Sequence, residues 1–112
     1  LLGSGSMYST APDMMSWIQA LKNNEVLSND MFDLMLKPNL NNYGYGWALN
    51  KMGNSNMALH DGAVSPLGFY AQAGFGLNSE FSYSVLTNVD ISAISKDALK
   101  IIKSYLIKEC EL

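Results

Sequence analysis

Arginine is absent from this chain, cysteine and histidine occur once each, and charged residues make up only 15% of its 112 positions. Each scarcity excludes something. The seven basic residues are all lysines and ten acids bring the net charge to -3. The basic surface that neutralises phosphates is therefore missing, as are the guanidinium forks that read base edges, and no nucleic-acid partner is expected. Cys110 has no partner for an internal disulfide, and Cys110 with His60 falls short of the four ligands of a structural zinc site. No apolar run approaches the ~20 residues that cross a bilayer, and no basic-then-apolar leader opens the chain. What is plentiful is apolar surface, 48% of residues, so the composition is that of a folding chain rather than a disordered one. The length suits one domain and excludes two. The opening residues, Leu1-Leu2-Gly3-Ser4-Gly5-Ser6 without an initiator methionine, lead us to expect a fragment or processed product.

Residues 1–9 are small and glycine-rich and read as a loop. A helix follows. Thr10 stands where a cap belongs, Asp13 completes a capping box, and Pro12 is tolerated in the first turn. Met14, Trp17, Ile18 and Leu21 then recur at helical spacing as far as Asn23 and Asn24. Ser28 opens a second, shorter helix with Met31, Phe32, Leu34 and Met35 as apolar positions, ended near Lys37 by Pro38, and residues 39–42 connect onward. From Tyr43 the period changes to two, with Tyr43, Tyr45, Trp47 and Leu49 on one side, which predicts a strand. A turn at residues 53–56 returns the chain through Met57–Leu59 toward His60. Phe69, Ala71, Ala73 and Phe75 alternate in a further strand, turned at residues 76–80 into Phe81–Thr87. A last amphipathic helix over 91–109 sets Ile94, Ala98, Ile101, Ile102, Tyr105 and Leu106 against Lys96, Lys100, Lys103 and Lys108. The expected fold is α+β: an antiparallel sheet of about four strands carrying two amino-terminal helices and a carboxy-terminal helix.

His60 is the only histidine, so any histidine chemistry passes through it. A lone histidine at a strand end more often simply hydrogen-bonds its neighbours, and spacing alone favours that role over a chemical one. Asp61 beside it cannot form a dyad with it, because adjacent strand residues point to opposite faces. Ser65 before Pro66 reads as a turn residue, and no glycine-x-serine-x-glycine elbow occurs. The pairs Gly44/Gly46 and Gly74/Gly76 lack the third glycine of a dinucleotide fingerprint and read as close packing or turns. The seven methionines and two tryptophans fall on apolar faces as core. No cofactor is expected.

Five short motifs nevertheless stand in a telling order: Gly5-Ser6-Met7-Tyr8-Ser9-Thr10-Ala11-x-Asp13, Tyr43-Gly44-Tyr45-Gly46-Trp47, His60-x-Gly62, Gly68-Phe69 and Val85-Leu86-Thr87-Asn88. In order and spacing they resemble the serine β-lactamase and penicillin-binding-protein-like superfamily, in its class C β-lactamase and D-alanyl-D-alanine carboxypeptidase branch. The resemblance covers nearly all of this chain and about the carboxy-terminal third of the family's catalytic domain. It implies a β-lactamase/transpeptidase-like fold. It also implies a parent that acts on β-lactams or D-Ala-D-Ala-like peptides outside the cytoplasm through an acyl-enzyme, with an esterase or D-aminopeptidase parent as a variant. His60-Asp61-Gly62 would be its Lys-Thr-Gly or His-x-Gly element. His60 would hold the substrate carboxylate and tune the family's tyrosine, Gly62 would keep the strand flat, and the Ala63 amide would form half of the oxyanion hole.

Two motifs of that family are missing. No lysine has a serine three residues before it, and neither Tyr-x-Asn nor Ser-x-Asn occurs, so the chain by itself is expected to be unable to acylate. A non-catalytic module that binds peptidoglycan-type peptides or a protein partner is the alternative this favours. Five residues separate Gly62 from Gly68, more than the family's usual spacing, and the loop around Ser65-Pro66 is expected to reshape the cleft rim. Because the family sheet has further amino-terminal strands beside its last one, residues 81–87 are expected to present an open edge that self-associates or rests on a segment outside this sequence.

Overall fold

A computed structural model describes residues 3–64, 67–89, 100, 103–105, 107 and 108. Its first element, α1 (Ala11–Lys22), begins where the capping signal stands. The Thr10 hydroxyl accepts from the Asp13 N–H (3.2 Å) and donates to the Asp13 carboxylate (2.9 Å). The other end is a Schellman closure. Asn24 takes a left-handed φ of 58, its N–H donates to the Leu21 carbonyl, and the Glu25 N–H reaches back to Ala20. Ile18 and Leu21 are buried and Met14 and Met15 pack beside them. Trp17, expected on this face, is 47% exposed. Met15, on the opposite edge of the apolar stripe from Trp17 and nearer to Ile18 around the helix, packs on the core instead.

The second helix, α2 (Asn29–Met35), starts after Ser28, whose side chain makes no capping bond, and ends two residues before Lys37. Its Phe32 stacks on Phe75 at 6.0 Å. The chain then reverses through a 3-10 turn, Leu40–Asn42, in which Asn41 and Asn42 both have positive φ. Asparagine tolerates that region better than most residues. The strand expected from Tyr43 does not start there. Tyr43 makes one bridge to Ala48, and β1 covers Ala48–Met52. Residues 44–47 are a turn because Gly44 lies so close to the Met35 carbonyl that a Cβ would collide with it, while the Tyr45 N–H donates to that same oxygen (2.9 Å). Glycine alone fits.

Three more strands complete a meander in the order β1-β2-β3-β4: β2 (Ser55–Val64), β3 (Phe69–Gly76) and β4 (Ser82–Thr87), all antiparallel. The fold is thus α+β. Two cores lie on its two faces, as the period of two requires. Ala58, Ala73 and Phe75 meet Ile18, Phe32, Leu36, Trp47 and Leu49 on the side of α1 and α2. Met52, Met57 and Tyr83 meet Phe81, Val85 and Ile107 on the other. Residues 100, 103–105, 107 and 108 are helical. There Ile107 enters the core, while Tyr105, expected on the apolar stripe, is 62% exposed. Ile94, Lys96, Ala98, Ile101, Ile102 and Leu106, the rest of that expected helix, lie outside the described residues. β4 closes the sheet, and its outer side meets no further strand among the described residues.

Candidate active site

The residue pattern of β2 decides what His60 can do. The strand continues through His60, Asp61 and Gly62 rather than ending before them. Its Met57–Leu59 stretch lies between β1 and β3, since β1 pairs only as far as Ala48 with Leu59. From His60 to Val64 it pairs with β3 on one side and with no strand on the other among the described residues. This half is a strand with an open flank, and His60, Asp61, Gly62 and Ala63 are all exposed on it.

His60 lies opposite Ala73 and Gly62 opposite Ala71, so both stand on the face shared with α1 and α2. Nothing lies within 4 Å of where a Gly62 Cβ would be, so glycine there leaves the surface clear and is not demanded by packing. Ala63 is opposite Tyr70, and its side chain turns to the other face. Asp61 is on that far face too. The Tyr70 hydroxyl approaches it as a donor at 3.5 Å, the outer limit of a hydrogen bond, and the His60-Asp61 dyad is absent as the alternation requires. Tyr43, which the sequence placed in a strand and a motif but not in the site, completes it: its ring meets the His60 imidazole edge to face, centroids 6.2 Å apart at 73°. Ser65 and Pro66 lie outside the described residues. Ser9, from the amino-terminal loop, turns its hydroxyl to the Thr10 carbonyl.

Two cavities lie away from these residues. One of about 370 Å³ lies among Lys22, Phe32, Phe75, Leu77 and Ser79. The other, about 310 Å³, is on the opposite face among Lys51, Leu59, Gln72, Lys103 and Ile107. Neither contains His60. Among the described residues no group of three or more histidine, cysteine or acidic side chains could hold a metal ion, and no helix is long and apolar enough to cross a membrane.

Behind the site, the phenols carry the electrostatic signal. Burial, then the Asp61 carboxylate, raises the pKa of Tyr70 above its ordinary value. Tyr83, 7% exposed, is pushed up from 10.0 to about 12 by burial first, then by Tyr70 and Asp61. A folded pKa above the unfolded one means stability that is complete below pH 10 and is lost as pH climbs from 10 toward 12. Absorbance at 295 nm should therefore show one of the six tyrosines ionising last, together with unfolding. Replacing Tyr83 by phenylalanine should remove that late step, and a titration unchanged by this substitution would refute the assignment.

Comparison with known proteins adds no relative: no family model, no curated protein and no solved structure matches this chain.

Proposed function

We propose that this chain supplies the His-x-Gly cleft wall of a serine hydrolase of the β-lactamase and penicillin-binding-protein kind. One observation carries the reading. The half of β2 that holds His60, Gly62 and Ala63 stands exposed with one flank open, so an extended amide or ester can lie along it as an added strand would. The order of the five motifs supports the same conclusion.

In this reading His60 binds the substrate carboxylate, Gly62 leaves room for the substrate against the strand, and the Ala63 amide stabilises the oxyanion together with the amide of the nucleophilic serine. The serine hydroxyl adds to the carbonyl, the amine departs with a proton, and water hydrolyses the acyl-enzyme. Ser-x-x-Lys and Tyr-x-Asn do not occur in this chain, so nucleophile and base come from residues outside it. Substrates are β-lactams or D-Ala-D-Ala-like peptides, and the parent works outside the cytoplasm. The open side of β4 suits pairing with another strand, from the rest of the parent or from a second copy. The missing Ser-x-x-Lys also favours a second reading, a non-catalytic module that binds peptidoglycan-type peptides through the same wall. An esterase or D-aminopeptidase parent would use it in the same way.

The test is intact mass and amide NMR of the chain with a reactive penicillin. We expect an unchanged mass together with shifts at His60, Gly62 and Ala63 that His60→Ala abolishes. An unchanged mass with no shift there sinks the cleft-wall reading, and a stable acyl adduct places the nucleophile within this chain. In the complete enzyme His60→Ala should lower kcat/KM about 10- to 100-fold, as loss of one charge-assisted hydrogen bond does.

A further inference from the structure

A histidine on an exposed stretch of strand has several side-chain rotamers open to it, and a group that must meet a substrate at a fixed angle is handicapped by that freedom. His60 is so placed, with β1 ending beside Leu59 and open space next to Gly62. What limits it lies across the open flank. The Tyr43 carbonyl accepts from the Asn39 N–H (3.0 Å), the Tyr43 N–H donates to Leu40 (3.2 Å), and the residue bridges to Ala48. The next turn is tied as firmly. Gly44 N–H donates to Trp47 (2.8 Å), Tyr45 N–H donates to Met35 (2.9 Å), and the Trp47 ring meets Phe75 edge to face at 5.0 Å. A ring on so fastened a backbone is a fixed surface rather than a mobile flap.

We infer that Tyr43 is a positioning residue for His60: its ring, held by the turn over residues 39–48, limits the imidazole to the orientation that a ligand on the open half of β2 meets. The inference rests on the cleft-wall reading for its functional meaning, although the contact itself does not. Tyr43 acts through His60 and touches no reacting atom. The contact is edge to face, the arrangement that the charge distribution of aromatic rings favours, so the ring of Tyr43 does the work and its hydroxyl is dispensable.

His60 being the only histidine, its two imidazole C–H signals are a direct reporter in the proton NMR spectrum of the whole chain. Unmodified protein should give nuclear Overhauser contacts between these protons and the Tyr43 ring, and ring-current displacement of both signals from free-histidine positions. Tyr43→Phe should keep the displacement and Tyr43→Leu should abolish it, with the dispersed methyl signals of the two cores unchanged as proof of folding. Absence of the Overhauser contact, or signals unmoved in Tyr43→Leu, overturns the proposal. The contact needs no variant and so decides even if Tyr43→Leu fails to fold. A penicillin that leaves the His60 signals untouched while Tyr43→Leu displaces them upholds the positioning and removes the cleft-wall reading, which keeps the two failures apart.

Discussion

Phe75→Ala should cost about 3–5 kcal/mol of folding stability, the range for deleting a fully buried aromatic side chain. Phe75 is 1% exposed and joins three elements: Phe32 of α2 stacks on it at 6.0 Å, the Trp47 ring stands on it at 5.0 Å, and Ile18 of α1 shares its cluster. Truncation leaves a void, because all three neighbours are held by their own backbones and cannot close in. Against a total of about 5–15 kcal/mol for a domain, the loss is about a fifth or more of the margin. Urea unfolding followed by tryptophan fluorescence measures it, since Trp47 reports on the same contact. A loss under 1 kcal/mol would mean that α2 does not pack on the sheet in solution as it does here.

Gly74→Val should come next, and its interest is that a propensity argument gives the opposite sign. Valine favours strands and glycine disfavours them, by up to about 1 kcal/mol. Packing overrides this. A Cβ at Gly74 would stand 2.7 Å from Tyr83 Cε1, 2.9 Å from the Ala58 carbonyl oxygen and 3.0 Å from Leu59 Cβ. Gly74 pairs with both Leu59 and Tyr83, so it sits in the middle of the sheet with the Tyr83 ring lying over it. Relief requires moving a backbone carbonyl of β2 as well as a ring, so overpacking should cost about 1–3 kcal/mol net of propensity. The clash with Tyr83 implies coupling. Gly74→Ala combined with Tyr83→Leu should lose less than the sum of the two single changes, and strict additivity would show that the ring is not the obstacle.

Much of this architecture could be read from local signals. Thr10 and Asp13 mark the start of α1 and Asn23-Asn24 its end because caps are chemistry between residues three to five apart. The two later strands and their turn follow from alternation, and the separation of His60 from Asp61 follows from the same period. The failures have a common cause. Tyr43 to Leu49 alternates like a strand, yet its alternate positions are glycines, and Gly44 is needed for approach to Met35, a contact nine residues back that no period encodes. With that turn misread, the meeting of Tyr43 and His60 could not be foreseen. Nor could the open flank of β2, since it depends on how far β1 reaches, a matter of register. Trp17 and Tyr105 were placed in the core by spacing, but Trp17 lies at the edge of its stripe, and at the last helix it is Ile107, off the expected stripe, that reaches the core while Tyr105 is exposed.

The strict order β1-β2-β3-β4 bears on how the chain reaches this state. Among the described residues every strand pairs only with its neighbours in sequence, so each pairing closes a loop of a few residues and the entropy of closure stays small. No strand has to wait for a distant strand partner. Sheets assembled from adjacent hairpins belong to the faster-folding part of the range for β structure, where contact separation rather than size sets the rate. The pairing of β2 with β3 is the longest ladder, and we expect φ-value analysis to find it formed early, with β1 and β4 joining from either side. The strand that carries His60 is then among the first to form.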